Sequence, residues 1–360
     1  MDVTKDCTVK EEPPTECESI SSLNEFKILG QGEQGIAYLL PNKMVLKVSK
    51  LKTEMDKKKW INEACIGKEL GEKQIAPFIY DCFICKNSGY LMMEKLKDAK
   101  TFNFKQIRDK SDGNPNDNLM LLPPEVQQAF VAKFRDMIHL GYIHLDNHIE
   151  NLGFVTRFGG ETPILFDFGF TQKRHFSKEE EKYAMALTCF ITLEHQQLEN
   201  LDQTVFFQEG MYQLFGKKDG GWTTAELMPF QQNINQTRKF NMKLIDGLIK
   251  KNDFKTTAKN KDIIVGALAH LFFLGLPREE RYDTDMYDLT YEVRRDEYKD
   301  LSKTNFSSTP YSKSAVTNQK KSASARRRRG GTKKKYQKKK CQNKTRKQFY
   351  KTQKKFSSYK

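Results

Sequence analysis

The chain has 360 residues, with 62 Lys or Arg against 46 Asp or Glu, a formal +16. That length suffices for one large domain or two ordinary ones. The charge is uneven: residues 301–360 hold 21 basic side chains and no acidic one, leaving 41 basic against 46 acidic in the first 300, a formal −5. A mildly acidic globular body with a strongly basic tail follows, and a uniformly basic nucleic-acid-binding fold is excluded.

Residues 1–22 are polar, acidic and Pro-containing, and read as a disordered leader without a basic-then-apolar signal pattern. From Phe26 to Ser49, short apolar runs broken by Gly and by Pro41-Asn42 predict strands joined by tight turns. Lys52 to Leu70 reads as a helix, with Trp60, Ala64 and Ile66 near one face and Gly71 as its stop. Ile75 to Leu96 returns to strand patterning around a turn at Lys86-Asn87-Ser88-Gly89, and Asp109 to Asn118 is a polar loop. Pro123-Pro124 starts a helix running to about Leu140, with Gly141 as its stop. Beyond Glu179 the apolar spacing is helical almost throughout. The run Ile263 to Leu276 is too short for the roughly twenty residues that span a bilayer, and it contains His270. A buried core helix is expected there, and no membrane partner. The fold class is therefore α+β, β-rich first and α-rich after.

Seven cysteines, an odd number scattered through a long chain, do not suggest a disulfide framework, so a reducing compartment is the default. Cys82 and Cys85 have zinc-like spacing, but no second pair accompanies them and they sit in an apolar run, so core packing is expected.

The chemistry-bearing residues come in a definite order. Gly30-Gln31-Gly32-Glu33-Gln34-Gly35 is a G-x-G-x-x-G loop followed by strand patterning rather than a helix, which argues against a dinucleotide fold. It suits a hairpin whose backbone N–H groups approach phosphate oxygens. Lys47 stands in an apolar strand, where a buried ammonium needs an anionic partner. Glu63 on the following helix is the candidate and Glu69 the fallback. Further on come His144-Leu145-Asp146 with Asn151 five residues after the aspartate, and then Asp167-Phe168-Gly169 behind an apolar strand.

This set resembles the eukaryotic-like protein kinase superfamily over roughly residues 24–195. The resemblance implies a two-lobed domain over 23–300, with an N-lobe of about 23–96, a C-lobe of about 97–300, and 301–360 as a disordered basic tail. It implies ATP and Mg²⁺ as cofactors and a protein Ser/Thr hydroxyl as acceptor. Gly30, Gly32 and Gly35 would cover the phosphates, and Lys47, oriented by Glu63, would hold the α- and β-phosphates. Met93 would be the gatekeeper, with Glu94 and Leu96 offering backbone groups to adenine. Asp146 would accept the substrate proton, while Asp167 and Asn151 would bind metal. His144 is expected to brace the loop.

The departures narrow the resemblance. Leu145 replaces the arginine that pairs with a phosphorylated activation loop, and His148 stands where a lysine usually contacts the γ-phosphate. No A-P-E follows D-F-G; Glu181 to Leu187 already resembles the central C-lobe helix, leaving only Phe170 to Glu180 for an activation segment. That shortening is similar to RIO-type kinases and to small-molecule phosphotransferases. A small-molecule enzyme and a catalytically silent, nucleic-acid-bound scaffold are the alternatives. Arg326 to Arg329, Lys333 to Lys335 and Lys338 to Lys340, with interleaved aromatics, suit nucleic acid or another polyanion through residues 313–360. Such tails resemble those of proteins from large DNA viruses. A monomer in cytoplasm or nucleus, or packaged in a virion, is expected.

Overall fold

The computed structural model describes residues 7, 9–11, 23–31, 35–97, 122–194, 198–227, 242–257 and 260–276. Gly32, most of the leader, the polar stretch at 109–118 and the basic tail lie outside them. The chain divides into two units, Met1–Lys299 and Asp300–Lys360, and every described residue belongs to the first.

Helix and strand are mixed, with a sheet first and helices after. Six strands form the sheet in the order β1-β5-β6-β4-β3-β2: β1 (Lys10–Glu11), β2 (Lys27–Gln31), β3 (Ile36–Leu39), β4 (Val45–Lys50), β5 (Ile79–Cys85) and β6 (Ser88–Met93). All pairings are antiparallel except β1 on β5, where Lys10 lies opposite Phe83 and Glu11 opposite Ile84. The disordered leader is thereby corrected for residues 7 and 9–11. Val9 packs on the cluster of Leu51, Trp60, Ala64, Ile79, Cys82, Ile84 and Leu91, and Cys7 is disulfide-bonded to Cys65 with Cα atoms 5.7 Å apart. Apolar burial and a covalent bond offset the ordering entropy that the leader's polar composition could not.

The cysteine reading is corrected with it. Cys85 is also disulfide-bonded, while Cys82 and Cys189 are free and buried. An odd, scattered cysteine count therefore did not mean the absence of disulfides.

Helix α1 (Glu54–Glu72) follows β4, with a capping box in which Thr53 and Asp56 exchange side-chain and backbone bonds. Gly71 lies inside the helix and does not stop it. A Cβ there would come within 2.7 Å of the Pro77 carbonyl, so glycine permits the chain's return to β5 to pass close by.

The second part begins with α2 (Pro124–His139), ended as expected near Gly141, whose φ is 82°. Strand β7 (Tyr142–His144) pairs with β10 (Thr171–Lys173), and β8 (Leu152–Arg157) forms a hairpin with β9 (Gly160–Leu165). Then come α3 (Lys178–Thr192), α4 (Val205–Phe215), α5 (Met242–Lys251) and α6 (Lys261–Leu274). Residues 263–274 are all buried, the core helix expected from their composition. Phe130, Phe134, Phe190, Phe206, Phe207 and Phe273 fill this part's interior. Among the described residues no helix is long and apolar enough to cross a membrane.

Candidate functional site

Lys47 stands in an apolar strand, next to two buried neighbours on β4. Val45 and Leu46 are buried while Lys47 is largely so, and its ammonium finds two acids. Lys47 Nζ lies 2.6 Å from Glu63 Oε1 and 3.7 Å from Asp167 Oδ2. Glu63 comes from α1 and Asp167 from the turn after β9, so the three charges join segments far apart in sequence. Burial works against charge on Lys47, but Glu63 and Asp167 outweigh it and hold its pKa above the ordinary lysine value. Burial also pushes the Glu63 carboxyl up; Lys47 pulls against that rise and Asp167 adds to it. Two carboxylates around one ammonium leave an excess of negative charge, and the buried Asp167 Oδ1 has no hydrogen-bond partner. That combination suits a cation.

The fallback Glu69 is used differently. It accepts from the Tyr142 hydroxyl at 2.5 Å, and Lys173 lies 3.5 Å from it and 4.9 Å from the Tyr142 ring centroid. About two turns earlier on α1, the Asn62 amide donates to the carbonyls of Thr171 (2.9 Å) and Phe168 (3.4 Å). Sequence reasoning missed Asn62; its place one residue before Glu63 was the available signal.

The segment from His144 to Asn151 is held by neutral hydrogen bonds. The Asp146 N–H donates to His144 Nδ1 at 3.2 Å, so the proton of the imidazole sits on Nε2, which donates to the Phe166 carbonyl at 3.0 Å. Complete burial lowers the His144 pKa to about 4, and the ring, 5.2 Å from that of Phe168, is neutral at physiological pH. His144 braces the loop, as expected. The Asn151 amide donates to the Asp146 carbonyl at 2.6 Å and lies 3.3 Å from His148 Nε2. Both amide hydrogens are thus engaged, and the Asn151 side-chain oxygen is its remaining ligand atom. Asn147, which the sequence reading passed over, is fully buried and donates to the Thr188 carbonyl (2.9 Å) and the Thr192 hydroxyl (2.6 Å).

Asp167 itself has φ 64° and ψ 65°, the left-handed region that aspartate tolerates better than most residues. This turn lets Phe168 bury against α1 while the carboxylate faces Lys47. Only Arg174 to Ser177 separate β10 from α3, so the segment after D-F-G is as short as the sequence indicated.

Of the other candidates, Gly30 pairs with Ala37 at the β2–β3 end, and a Cβ there would meet open space. Gly35 has a different reason: a Cβ would stand 2.3 Å from the Val48 carbonyl, so glycine keeps β3 tight against the strand bearing Lys47. Met93 is partly buried on the sheet's core cluster. The Glu94 N–H donates to the Phe78 carbonyl at 2.8 Å, and its carboxylate is clamped by Arg157 at 2.6 Å. Among the described residues the Glu94 carbonyl and the Leu96 N–H make no backbone bond. No three His, Cys, Asp or Glu side chains among the described residues converge to hold a metal ion unaided.

No protein-family model matches the chain, and no curated protein does. Among solved structures, the crystal structure of the BubR1 kinase domain is similar over 46% of this chain and 60% of that one, with 15% identity and a TM-score of 0.34. At that score the likeness is loose, and the chemistry has to be read from the side chains themselves.

Proposed function

We propose that this chain is an ATP-dependent phosphotransferase of the two-lobed kinase-like fold, acting on a hydroxyl, with a protein Ser or Thr as the acceptor. The observation that carries the reading is the buried cluster of Lys47, Glu63 and Asp167 with one Asp167 oxygen unspent. A lone structural ion pair needs one acid; a second acid beside it, with a free oxygen, adds cost unless a cation completes the site. Mg²⁺, held by one or two protein ligands together with phosphate oxygens, would use Asp167 and Asn151 and would disperse the charge that develops on the transferred phosphoryl group.

The chain's own residues have these roles. Lys47, kept protonated by Glu63, neutralises the α- and β-phosphates. Gly30, Gly32 and Gly35 let backbone N–H groups approach the phosphates. Glu94 and Leu96 offer a carbonyl and an N–H to adenine, with Met93 behind them. Asp146 orients the acceptor hydroxyl and takes its proton. Electrostatic preorganisation of this kind usually supplies the largest catalytic contribution.

The test is Mg²⁺-dependent transfer from radiolabelled ATP to a generic protein substrate, with Lys47→Met and Asp167→Asn as controls. Both should lose transfer while unfolding cooperatively; near-normal turnover in either would defeat the assignment. The four residues between β10 and α3 favour a second reading, a small-molecule acceptor, because little chain remains for a peptide platform. Intact-mass detection of phosphate on Ser or Thr separates the two. A chain that binds ATP without Mg²⁺-dependent turnover would instead be a scaffold.

The tail is the other proposed module. With +21 in residues 301–360 against −5 before them, polyanion affinity is assigned to residues 313–360. Neutralising on the order of six to ten phosphates would weaken binding about 10³–10⁵-fold between 50 and 200 mM salt. A truncated chain that bound random duplex with the same salt slope would refute it.

A further inference from the structure

The segment after β7 is fastened to α3 through one buried hydroxyl. Asn147, the residue directly after Asp146, donates from Nδ2 to Thr192 Oγ1 at 2.6 Å, and Thr192 Oγ1 lies 3.2 Å from the Asn147 carbonyl and 3.0 Å from the Thr188 carbonyl. Thr192 thus touches both the side chain and the backbone of Asn147. All three residues are fully buried. The Asn147 amide orientation is fixed, because the Thr188 carbonyl, 2.9 Å from Nδ2, can only accept. Its Oδ1 is left buried with no partner, a destabilising feature in a purely structural contact. Asp146 is meanwhile held on its other two sides, by His144 at its N–H and by Asn151 at its carbonyl.

We infer that Thr192 and Asn147 are positioning residues for Asp146: they fix the peptide after it, and so the direction in which its carboxylate meets the acceptor hydroxyl. This rests on the phosphotransfer reading above. Among the described contacts neither residue bonds to Lys47, Glu63 or Asp167, so the effect is expected on kcat more than on KM for ATP. Misplacement of a reacting group by about 1 Å can lower a rate on the order of 100-fold, and a loop released from Thr192 can shift by that much.

The helix supplies its own control. Thr188 is as buried as Thr192, but its hydroxyl donates only to the Ala184 carbonyl at 2.8 Å, within α3. Thr192→Val and Thr188→Val therefore delete the same group from the same helix, and only the first unfastens the loop. The experiment measures kcat, KM for ATP and Tm in full-length protein for both, with Thr192→Ser and Asp167→Asn. Thr192→Val should lower kcat roughly 10–100-fold with KM for ATP within about twofold of the parent, and Thr192→Ser should restore most of it. Thr188→Val, which strands no buried donor, should be the less destabilised of the two, and with kcat measured well below both melting temperatures it should lose at least fivefold less kcat.

Equal kcat losses in the two valine variants, or a loss that follows Tm or KM, would overturn the positioning role while leaving the phosphotransfer reading intact. Turnover surviving in Asp167→Asn, or absent from the parent, would remove that reading and the positioning role with it.

Discussion

The sheet part and the helical part hold their functional side chains in opposite ways. Around Lys47 the sheet part uses charge: the ammonium from β4 stands between the Glu63 carboxylate of α1 and an Asp167 carboxylate lent by the other part, from the turn after β9. Around Asp146 the helical part uses neutral groups, with His144, Asn147, Asn151 and Thr192 all hydrogen-bonded and at most slightly exposed. The difference is one of failure mode. Removing one member of a buried charge cluster strands the rest, which costs far more than removing one neutral hydrogen bond. It also separates their pH responses, because a lysine held protonated and a histidine held neutral respond at opposite ends of the scale.

The largest effect expected from that contrast is on activity. Glu63→Gln keeps the shape of the cluster but takes away the closer of Lys47's two acids, and kcat/KM should fall on the order of 10²–10³-fold, as for loss of one preorganised electrostatic group. Steady-state kinetics at saturating Mg²⁺ would check it; a drop below threefold would mean that Asp167 alone orients Lys47.

Next in size is the covalent tie peculiar to the sheet part. Cys7→Ser should lower stability by about 2–4 kcal/mol, the typical range for a disulfide. Urea unfolding without reductant would measure it, with thiol alkylation and intact mass confirming that Cys7 and Cys65 are paired in the parent. Two free thiols at those positions would remove the tie from the comparison.

The pH response is smaller. With His144 near pKa 4 in the folded chain and about 6.5 unfolded, the unfolded chain binds more protons between those values. Stability therefore rises with pH through this window and falls as pH drops. Between pH 7 and pH 5 the loss from this residue should be about 2 kcal/mol. Lys47, shifted upward, contributes below its unfolded pKa and loses that contribution only under strongly alkaline conditions. Unfolding free energies at pH 5 and pH 7 should differ less in His144→Gln than in the parent; an equal difference would show that His144 is not held neutral.

The smallest expected change is none. Asn62 joins α1 to Phe168 and Thr171, and Tyr142 with Lys173 joins it through Glu69, all without a phosphate group. Phosphatase-treated enzyme should keep its activity, and a large loss would reveal a switch outside these contacts.

Much of the charged cluster was legible in the sequence, because a lysine in an apolar strand demands an acid and Glu63 lay on the next helix at a reachable position. Asp167 was legible as part of D-F-G, though its left-handed backbone was not. The neutral network was legible only in part: His144 and Asn151 stood in a recognised spacing, whereas Asn147 and Thr192 are 45 residues apart and neither type is unusual where it occurs. Gly71 was misread because a glycine near a helix end normally marks a stop, and the close pass of Pro77 has no local signature. Residues 7 and 9–11 of the leader were misread for a related reason. Composition reports whether a segment can bury enough surface by itself, and this one is held by Val9, a two-residue parallel pairing and a sulfur bond to a residue 58 positions away.

That sulfur bond closes residues 7 to 65 into a covalent ring, and the glycine loop, Lys47 and Glu63 all lie on its circumference. A single backbone cut anywhere in the ring, including at residues 32–34, would leave the two pieces joined. The chain would keep its full mass plus one water and run as one species until reduced. Intactness of the glycine loop therefore has to be judged after the ring is opened with reductant, since a nick there is silent beforehand.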